Sequence, residues 1–262
     1  MTFELLVSAV SADVNQLPYT MNISSDAVLV NQCGEDSQST VKLSSDASMR
    51  VINSSLRGVG NSRNMALDES KADILLFADE DIVYEPMYSQ KVLEAFNNHP
   101  DASVITFNVL VDERRRTYFN EDVHEITWKN YGRYPAYAIA VRRKDIVNNN
   151  IRYSTLFGGG AKYSCGEDSL FLHDCLKAGL KMIAETPVLG RETYRESTWF
   201  KGYNEKFFFD RGVLYHFLYG RMALLLGVRF LVKNKNTMLK DFSFSKALSL
   251  LSKGIKEGRS IS

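Results

Sequence analysis

Short apolar runs alternate with amphipathic stretches along most of the chain, and this pattern predicts a mixed α/β fold. Strands are predicted at Phe3–Val10, Asp26–Asn31, Ser48–Asn53, Ile74–Phe77, Ser103–Val109, Pro135–Val141 and Lys181–Glu185. Helices are predicted at Asp13–Asn22, from Asn61 or Ser62 (as N-cap) to Lys71, at Glu85–Asn98 and at Ser169–Gly179. Because unbroken apolar runs suit strands covered on both faces, we expect a mostly parallel sheet with helices on both sides.

The apolar run Ile74–Phe77 is followed at once by three acids, Asp79, Glu80 and Asp81. Open α/β sheets bind their ligands at the carboxyl ends of the strands, which is where these carboxylates stand. Asp79 and Asp81 leave an extended chain on the same side, so they can hold Mg²⁺ or Mn²⁺ against a diphosphate. The alternative is an acidic turn that only ends the strand.

Two side-chain amides, Asn31 and Gln32, follow the second predicted strand. An amide carries a donor and an acceptor together, so at a strand's carboxyl end it can pair with the edge of a nucleobase. The alternative is an ordinary turn in which the amide caps its own backbone.

The segment RGVGNSRN, residues 57–64, leads into the next predicted helix. Its glycines, among them Gly60, permit unusual backbone angles, and free amides at a helix start attract anions. With Arg57 and Arg63 as cations, the segment is a candidate site for a ribose diphosphate. It lacks the third glycine of a dinucleotide-binding fingerprint.

Further along, Glu167 and Asp168 follow Gly166 and open an amphipathic helix. Two acids at a helix start are usually caps that match the helix dipole. A carboxylate held rigidly in this position also suits a general base.

Length and charge indicate one large domain, 1–210, and a basic helical tail, 211–262. The tail carries ten Lys or Arg and two acids, a net charge of +8, whereas the whole chain of 262 residues has only +1. Nothing at the start resembles a signal peptide. Cys33, Cys165 and Cys175 have neither disulfide nor zinc spacing, so a cytoplasmic location is expected.

The tail's basic residues are interleaved with bulky apolar ones. No uncharged run in 212–232 reaches the roughly 18 residues of a membrane span. For this segment we favour packing against the domain, or against a second copy of the chain in a homodimer. Ala247, Leu251 and Ile255 recur at helical spacing beside lysines, which favours a helix on the anionic inner face of the cell membrane. No nucleic acid is expected, because no binding motif accompanies the charge.

Taken in order, these segments resemble family 2 glycosyltransferases of the GT-A fold. GVGNSRNMAL is similar to the segment that precedes that family's metal strand. ADILLFADED is similar to its Asp-x-Asp strand, and GEDSLF to its acceptor-side acidic pair. The resemblance spans roughly residues 3–211. STWFKGYNEKFFFDRG, residues 197–212, is similar to the segment that follows the last strand in bacterial members that build surface polysaccharides.

The resemblance implies transfer of a hexose from a nucleotide-diphosphate sugar, of the UDP type, to a glycan or lipid-linked glycan, with inversion. Asp79 would contact the donor's ribose or sugar, with Glu80 beside it, and Asp81 would ligate Mn²⁺ or Mg²⁺. Asp168 would be the catalytic base, and Glu167 would position the acceptor. The surface polysaccharide would be a capsule, an O-antigen or an exopolysaccharide.

Two departures from the family's pattern concern the donor site. Family members usually carry an Asp pair where this chain has Asn31 and Gln32, and many offer the metal a later histidine. Residues 191–197 contain none, so Glu192 or water is the expected third ligand. The rival from another class is a non-catalytic sugar-nucleotide or glycan-binding subunit of a polysaccharide assembly complex. A nucleotidyltransferase is disfavoured, because no basic phosphate loop follows the first strand.

Overall fold

The computed structural model describes residues 1–113, 116–193, 202–240 and 242–262. The chain divides into two compact units. The sheet unit comprises Met1–Thr155 and Glu167–Arg195, and the helical unit comprises Leu156–Gly166 and Glu196–Ser262. The predicted tail, 211–262, falls within the helical unit, and its Asp241 lies outside the described residues.

The sheet unit is built on one sheet, to which the described residues contribute ten strands. These are β1 (Phe3–Ala9), β2 (Ala27–Asn31), β3 (Ser37–Lys42), β4 (Ser48–Asn53), β5 (Ile74–Asp79), β6 (Ile82–Tyr84), β7 (Val104–Leu110), β8 (His124–Glu125), β9 (Ile139–Arg142) and β10 (Met182–Glu192). The helices are α1 (Leu17–Thr20), α2 (Val59–Glu69), α3 (Tyr88–Asn98), α4 (Arg143–Asn148) and α5 (Glu167–Lys177).

The strand order is β3-β4-β2-β1-β5-β9-β7-β10-β6, with β8 paired to β10. Strands β4, β2, β1 and β5 are parallel neighbours, and β10 is parallel to β7. The other pairs are antiparallel, so the sheet is mixed, and the predicted α/β class is confirmed. Strand β5 lies in the interior of this sheet, and Ile74–Ala78 are all buried, as the apolar run predicts.

Several elements differ from the sequence-based prediction. Ala136–Ala138, predicted as strand, form a 3-10 turn, so β9 begins only at Ile139. Helices α1 and α3 begin at Leu17 and Tyr88, later than predicted, and α4 was not predicted. Three short strands, β3, β6 and β8, were also not predicted. Strand β3 (SQSTVK) is almost entirely exposed, so its residues carry no apolar alternation that could reveal it. Strands β6 and β8 have three and two residues, too few for a periodicity. Strand β10 continues past Pro187, because the register shifts there and no regular ladder bond is needed.

The boundary of α2 was also predicted wrongly. The helix begins at Val59 with Gly58 as its N-cap, and neither Asn61 nor Ser62 caps it. The side chain of Asn61 donates to the carbonyl of Arg57 at 2.9 Å, and the Ser62 hydroxyl donates to Ser8 Oγ at 3.0 Å. Asn61 therefore binds the turn before the helix, and Ser62 binds the sheet.

The helical unit contains α6 (Glu205–Tyr219), α7 (Ala223–Lys233), α8 (Lys235–Met238) and α9 (Phe244–Ile261). Helices α6 and α9 approach so closely that a Cβ on Gly212 would lie 2.1 Å from the Leu251 carbonyl oxygen. Glycine at this position therefore permits the approach. Ala247, Leu251 and Ile255 of α9 are buried in this packing. Among the described residues, no helix combines the length and apolar character that a bilayer crossing needs.

Candidate functional site

The carboxyl ends of three parallel strands bring several predicted site residues to one edge of the sheet. In the register of the sheet, Ser8 of β1 stands beside Asp79 of β5, and the next residue, Ala9, stands beside Asn31 of β2. Parallel strands end together, so their terminal polar side chains share this edge.

Arg63 of α2 joins carboxylates from two distant parts of the sheet unit. Its Nη2 donates to Asp79 Oδ1 at 2.9 Å, and its Nη1 donates to Asp168 Oδ1 at 3.0 Å and Glu167 Oε1 at 3.1 Å. The Arg63 side chain is only 4% exposed, whereas those of Asp79 and Asp168 are 33% and 24% exposed. A planar guanidinium with several donors can hold such a set together, which a lysine ammonium cannot do as well.

Burial and neighbouring charge keep Asp168 mostly protonated near neutral pH. Burial is the largest cause, followed by the charge of Glu167, and together with Asp79 they raise the pKa of Asp168 to about 8. The Arg63 guanidinium acts in the opposite direction. A carboxylate with a pKa near the working pH suits a general base, because it can both accept and release a proton.

Two tyrosines complete the surroundings of this cluster, and no local signal in the sequence marks either. The Arg63 guanidinium carbon lies over the ring of Tyr153, 5.0 Å from the ring centroid. The Tyr153 ring stacks on that of Phe171, with the two ring centroids 4.3 Å apart. The pKa of Tyr137 is raised, chiefly by burial. Smaller causes are neighbouring Tyr118 and the carboxylates of Glu192, Asp79 and Asp168. Tyr137 therefore stays a neutral hydrogen-bonding group beside the acidic cluster.

The acidic turn after β5 meets the needs of a hard divalent cation only in part. Asp79, Glu80 and Asp81 are all half-buried, and the main-chain oxygen of Asp81 is fixed by the amide of Thr193 at 2.7 Å. Within the described ranges, no three His, Cys, Asp or Glu side chains are grouped to hold an ion. Two carboxylates fit Mg²⁺ or Mn²⁺ that keeps water and takes phosphate oxygens from a ligand.

The predicted third metal ligand stays a prediction. Glu192, at the end of β10, pairs with Ile82, the residue that follows Asp81, so the two acidic segments are adjacent in the sheet. Of residues 191–197, only Arg191–Thr193 belong to the described chain.

Both predicted base-reading amides are buried and engaged with the protein. Asn31 Oδ1 accepts from the amide of Ala12 at 3.0 Å, and its Nδ2 donates to Asn53 at 3.0 Å. Gln32 Oε1 accepts from the amide of Gly58 at 2.8 Å, at the start of α2. All of these partners lie 19 to 26 residues away in the chain, so neither amide caps its own turn through these contacts. Direct contact of either amide with a base stays a prediction.

The Gly-rich segment before α2 also serves packing. A Cβ on Gly60 would lie 2.2 Å from the main-chain oxygen of Ser154, so only glycine permits this approach of α2 to the neighbouring loop. Arg57 is exposed, whereas the guanidinium of Arg63 is committed to carboxylates rather than left for an anion. Roles for Arg57, Gly60 and Arg63 in donor binding stay predictions.

A cleft of about 310 Å³ opens beside this edge, between the loop after β1 and the acidic turn. Its lining residues are Val10, Ser11, Ala12, Asp13, Gln16, Leu17, Thr20 and Glu80. Apart from Glu80, the sequence pattern marked none of them as site residues. The loop is held in place by Asn31, which contacts Ala12 through both of its amide atoms.

Comparison of the chain with known proteins gives one family match. The sequence profile of Glycosyl transferase family 2 matches residues 28–158, half of the chain. That range contains Asn31, Arg63 and the acidic turn, whereas Glu167 and Asp168 lie beyond its end. Curated protein sequences give no match.

Solved structures of Staphylococcus aureus TarS share the fold. TarS 1–349 in complex with UDP-GlcNAc aligns with a TM-score of 0.65 at 15% identity, covering 98% of this chain and 81% of that chain. The same fragment with UDP gives 0.60 at 14% identity, with 98% and 82% covered. A structure of S. aureus TarS gives 0.57 at 13% identity, and there 94% of this chain covers 45% of that one.

Proposed function

The chain belongs to Glycosyl transferase family 2 and has the GT-A fold, and from this premise we propose that it transfers a sugar from a nucleotide-diphosphate donor to a hydroxyl of a glycan. The donor we propose is a UDP-sugar, because the fold is shared with a TarS fragment in complex with UDP-GlcNAc. The acceptor we propose is a glycan or lipid-linked glycan of a surface polysaccharide.

The observation that carries this proposal is the cluster around Arg63. Asp79 lies at the strand end where a donor would bind. The Arg63 guanidinium donates to both Asp79 and Asp168 and so holds the two carboxylates close together. A transferase needs a donor-side carboxylate and an acceptor-side base close together, and a single buried cation provides that spacing. A subunit that only binds glycan has no need of a carboxyl whose pKa is raised to about 8.

In the proposed reaction Asp168 takes the proton of the acceptor hydroxyl as that oxygen bonds to the anomeric carbon of the donor. The bond from this carbon to the diphosphate oxygen breaks, and the diphosphate leaves with the electron pair. A base positioned in this way contributes roughly 10²–10⁴-fold to the rate. Attack opposite the leaving group inverts the anomeric centre. Glu167, held by Arg63 at 3.1 Å, positions the acceptor beside Asp168.

Asp79 and Asp81 are the residues we propose to hold Mg²⁺ or Mn²⁺, and the bound ion would neutralise charge on the diphosphate. The cleft lined by Ser11, Asp13 and Glu80 is our proposed site for the nucleoside. Arg57, exposed near the start of α2, would face the diphosphate. We further propose that residues 211–262 form a helical appendage to a catalytic domain, 1–210, which works at the inner face of the membrane.

The test is release of nucleotide from a panel of nucleotide sugars, with and without acceptor and Mn²⁺. We expect turnover that requires the ion and is abolished in Asp81→Ala. Asp168→Asn should keep donor binding, measured by thermal shift, but lose at least about 10²-fold in transfer. Full activity in EDTA contradicts the metal role, and donor binding without any turnover favours the non-catalytic alternative.

A further inference from the structure

Helix α7, Ala223–Lys233, has one face that packs inside the helical unit. Ala223, Gly227 and Leu231 are buried there. A Cβ on Gly227 would lie 2.6 Å from the side chain of Leu251, so glycine is needed for the close approach. This face accounts for how α7 is held, and it leaves Leu224, Leu225, Arg229, Val232 and Lys233 exposed on the rest of the helix.

The uncovered face carries a row of bulky apolar side chains, which we call the α7 surface. Leu224, Val228 and Val232 are spaced four residues apart and therefore lie above one another on the helix, with Val228 half-buried between two exposed residues. Leu224 and Val232 are 48% and 54% exposed, and beside them Leu225 is 65% and Met222 is 55% exposed. Contiguous exposed apolar side chains usually mark a surface that meets a partner or a membrane.

Cations border the α7 surface. Arg229 and Lys233 follow Leu225 at the same four-residue spacing, and Arg221 precedes the helix; all three are exposed. From Arg211 to Lys240 the sequence contains no Asp or Glu at all. The α7 surface is therefore set in a segment of purely positive charge, which is complementary to an anionic partner.

We propose that the α7 surface lies on the anionic surface of a lipid bilayer, with its apolar row among the acyl chains and its cations at the headgroups. Interleaved cations and bulky apolar residues on one helix face are the features that bind this interface. The proposal rests on the membrane contact in our proposed function. It assigns that contact to α7 rather than to α9, where the sequence analysis expected it. Helix α9 cannot serve through Ala247, Leu251 and Ile255, because all three are buried.

Three double variants of the full chain test this assignment. Leu224→Gln with Leu225→Gln removes apolar contact, and Arg229→Gln with Lys233→Gln removes two charges from α7. Lys253→Gln with Lys256→Gln removes the same charge from exposed positions of α9 and is the matched control. Circular dichroism checks that each variant keeps its fold, which the exposure of the substituted residues leads us to expect.

Binding is measured by co-sedimentation with vesicles of phosphatidylglycerol and phosphatidylcholine, and of phosphatidylcholine alone, without any nucleotide sugar. The natural chain should bind only the anionic vesicles, and less so as salt rises. Each lost α7 cation should weaken binding roughly fivefold, and the leucine pair about tenfold or more. The α9 control should change binding by no more than about twofold, as expected for screened charges away from the contact.

Equal losses in the α7 and α9 charge variants, or retained binding in both α7 variants, would overturn the assignment. Absence of vesicle binding by the natural chain would do so too. Sedimentation velocity gives the remaining outcome: if the natural chain is a dimer that the leucine variant dissociates, the α7 surface is a subunit interface and our proposal is wrong. Since no donor is present, these outcomes are independent of whether the transfer reaction itself is correct.

Discussion

Replacing Arg63 with methionine is the sharpest perturbation of the proposed site. The change keeps much of the side-chain volume and removes the guanidinium that contacts Asp79, Glu167 and Asp168. Removal of one partner from a buried ion pair typically costs about 3–5 kcal/mol, because the remaining charge is left uncompensated. We expect Arg63→Met to fall in that range at about pH 9, a large part of a typical total of about 5–15 kcal/mol.

The destabilisation caused by Arg63→Met should depend on pH, and the pKa of Asp168 gives the direction of that dependence. Arg63 lowers the pKa of Asp168, so its removal raises that pKa further above about 8. A carboxyl with a raised folded-state pKa binds its proton more tightly than in the unfolded chain. Its stabilising contribution is therefore complete below the ordinary value of 3.8 and is lost as pH rises through the folded pKa. Because Asp168 of the natural chain ionises only above about pH 8, the cost of Arg63→Met should be smaller at about pH 5 than at about pH 9.

Urea unfolding followed by circular dichroism at both pH values measures these differences. The matched control is Arg152→Gln, which breaks an ion pair with Asp68 whose side chains are 43% and 57% exposed. An exposed pair of this kind contributes only about 0–1 kcal/mol. Arg63→Lys retains the charge and should recover the natural pH dependence. A cost for Arg63→Met no larger than the control's, or one that grows as pH falls, would refute the electrostatic reasoning.

Two other substitutions separate chemistry from packing. The transfer rate of the natural chain should rise with pH through about 8 as Asp168 loses its proton, and the residual rate of Asp168→Asn should be flat; a flat profile in both proteins contradicts the role of Asp168 as base. Gly60→Ala forces a Cβ to within 2.2 Å of the Ser154 carbonyl oxygen, so it should destabilise the fold by about 1–3 kcal/mol in urea unfolding. Gly132→Ala is its control, because the nearest atom there is an ordinary 3.8 Å away, and equal stability of the two variants would contradict the packing role.

Local pattern was sufficient for the elements that form the centre of the sheet. The apolar runs that predict β1, β2 and β5 are buried strands, and the acids after β5 do stand at a carboxyl edge. Helix α5 begins at Glu167, as the acidic pair and the following apolar periodicity indicate. These predictions held because burial on both faces and helix-start chemistry are properties of neighbouring residues.

The partners of the polar side chains could not be read in the same way. The sequence does not reveal that Arg63 contacts acids that lie 16, 104 and 105 residues away in the chain. Nor does it reveal that both amide atoms of Asn31 bind other parts of the chain. Roles of these two residues in donor binding stay predictions. A polar side chain reports only its own hydrogen-bonding capacity, and its partner depends on which elements the fold brings beside it.

The basic tail illustrates the same division. By itself, the sequence determined that the segment would be helical, cationic and amphipathic, because spacing and residue type suffice for each of these properties. Only the tertiary structure decided which apolar face is covered: that of α9 is buried, whereas α7 leaves Leu225 65% exposed. Glycines at 212 and 254 let α6 and α9 come together, and this close packing takes the α9 face out of solvent. Two helices with similar apolar spacing thus differ in how much of their apolar surface is covered, since burial depends on the packing partner.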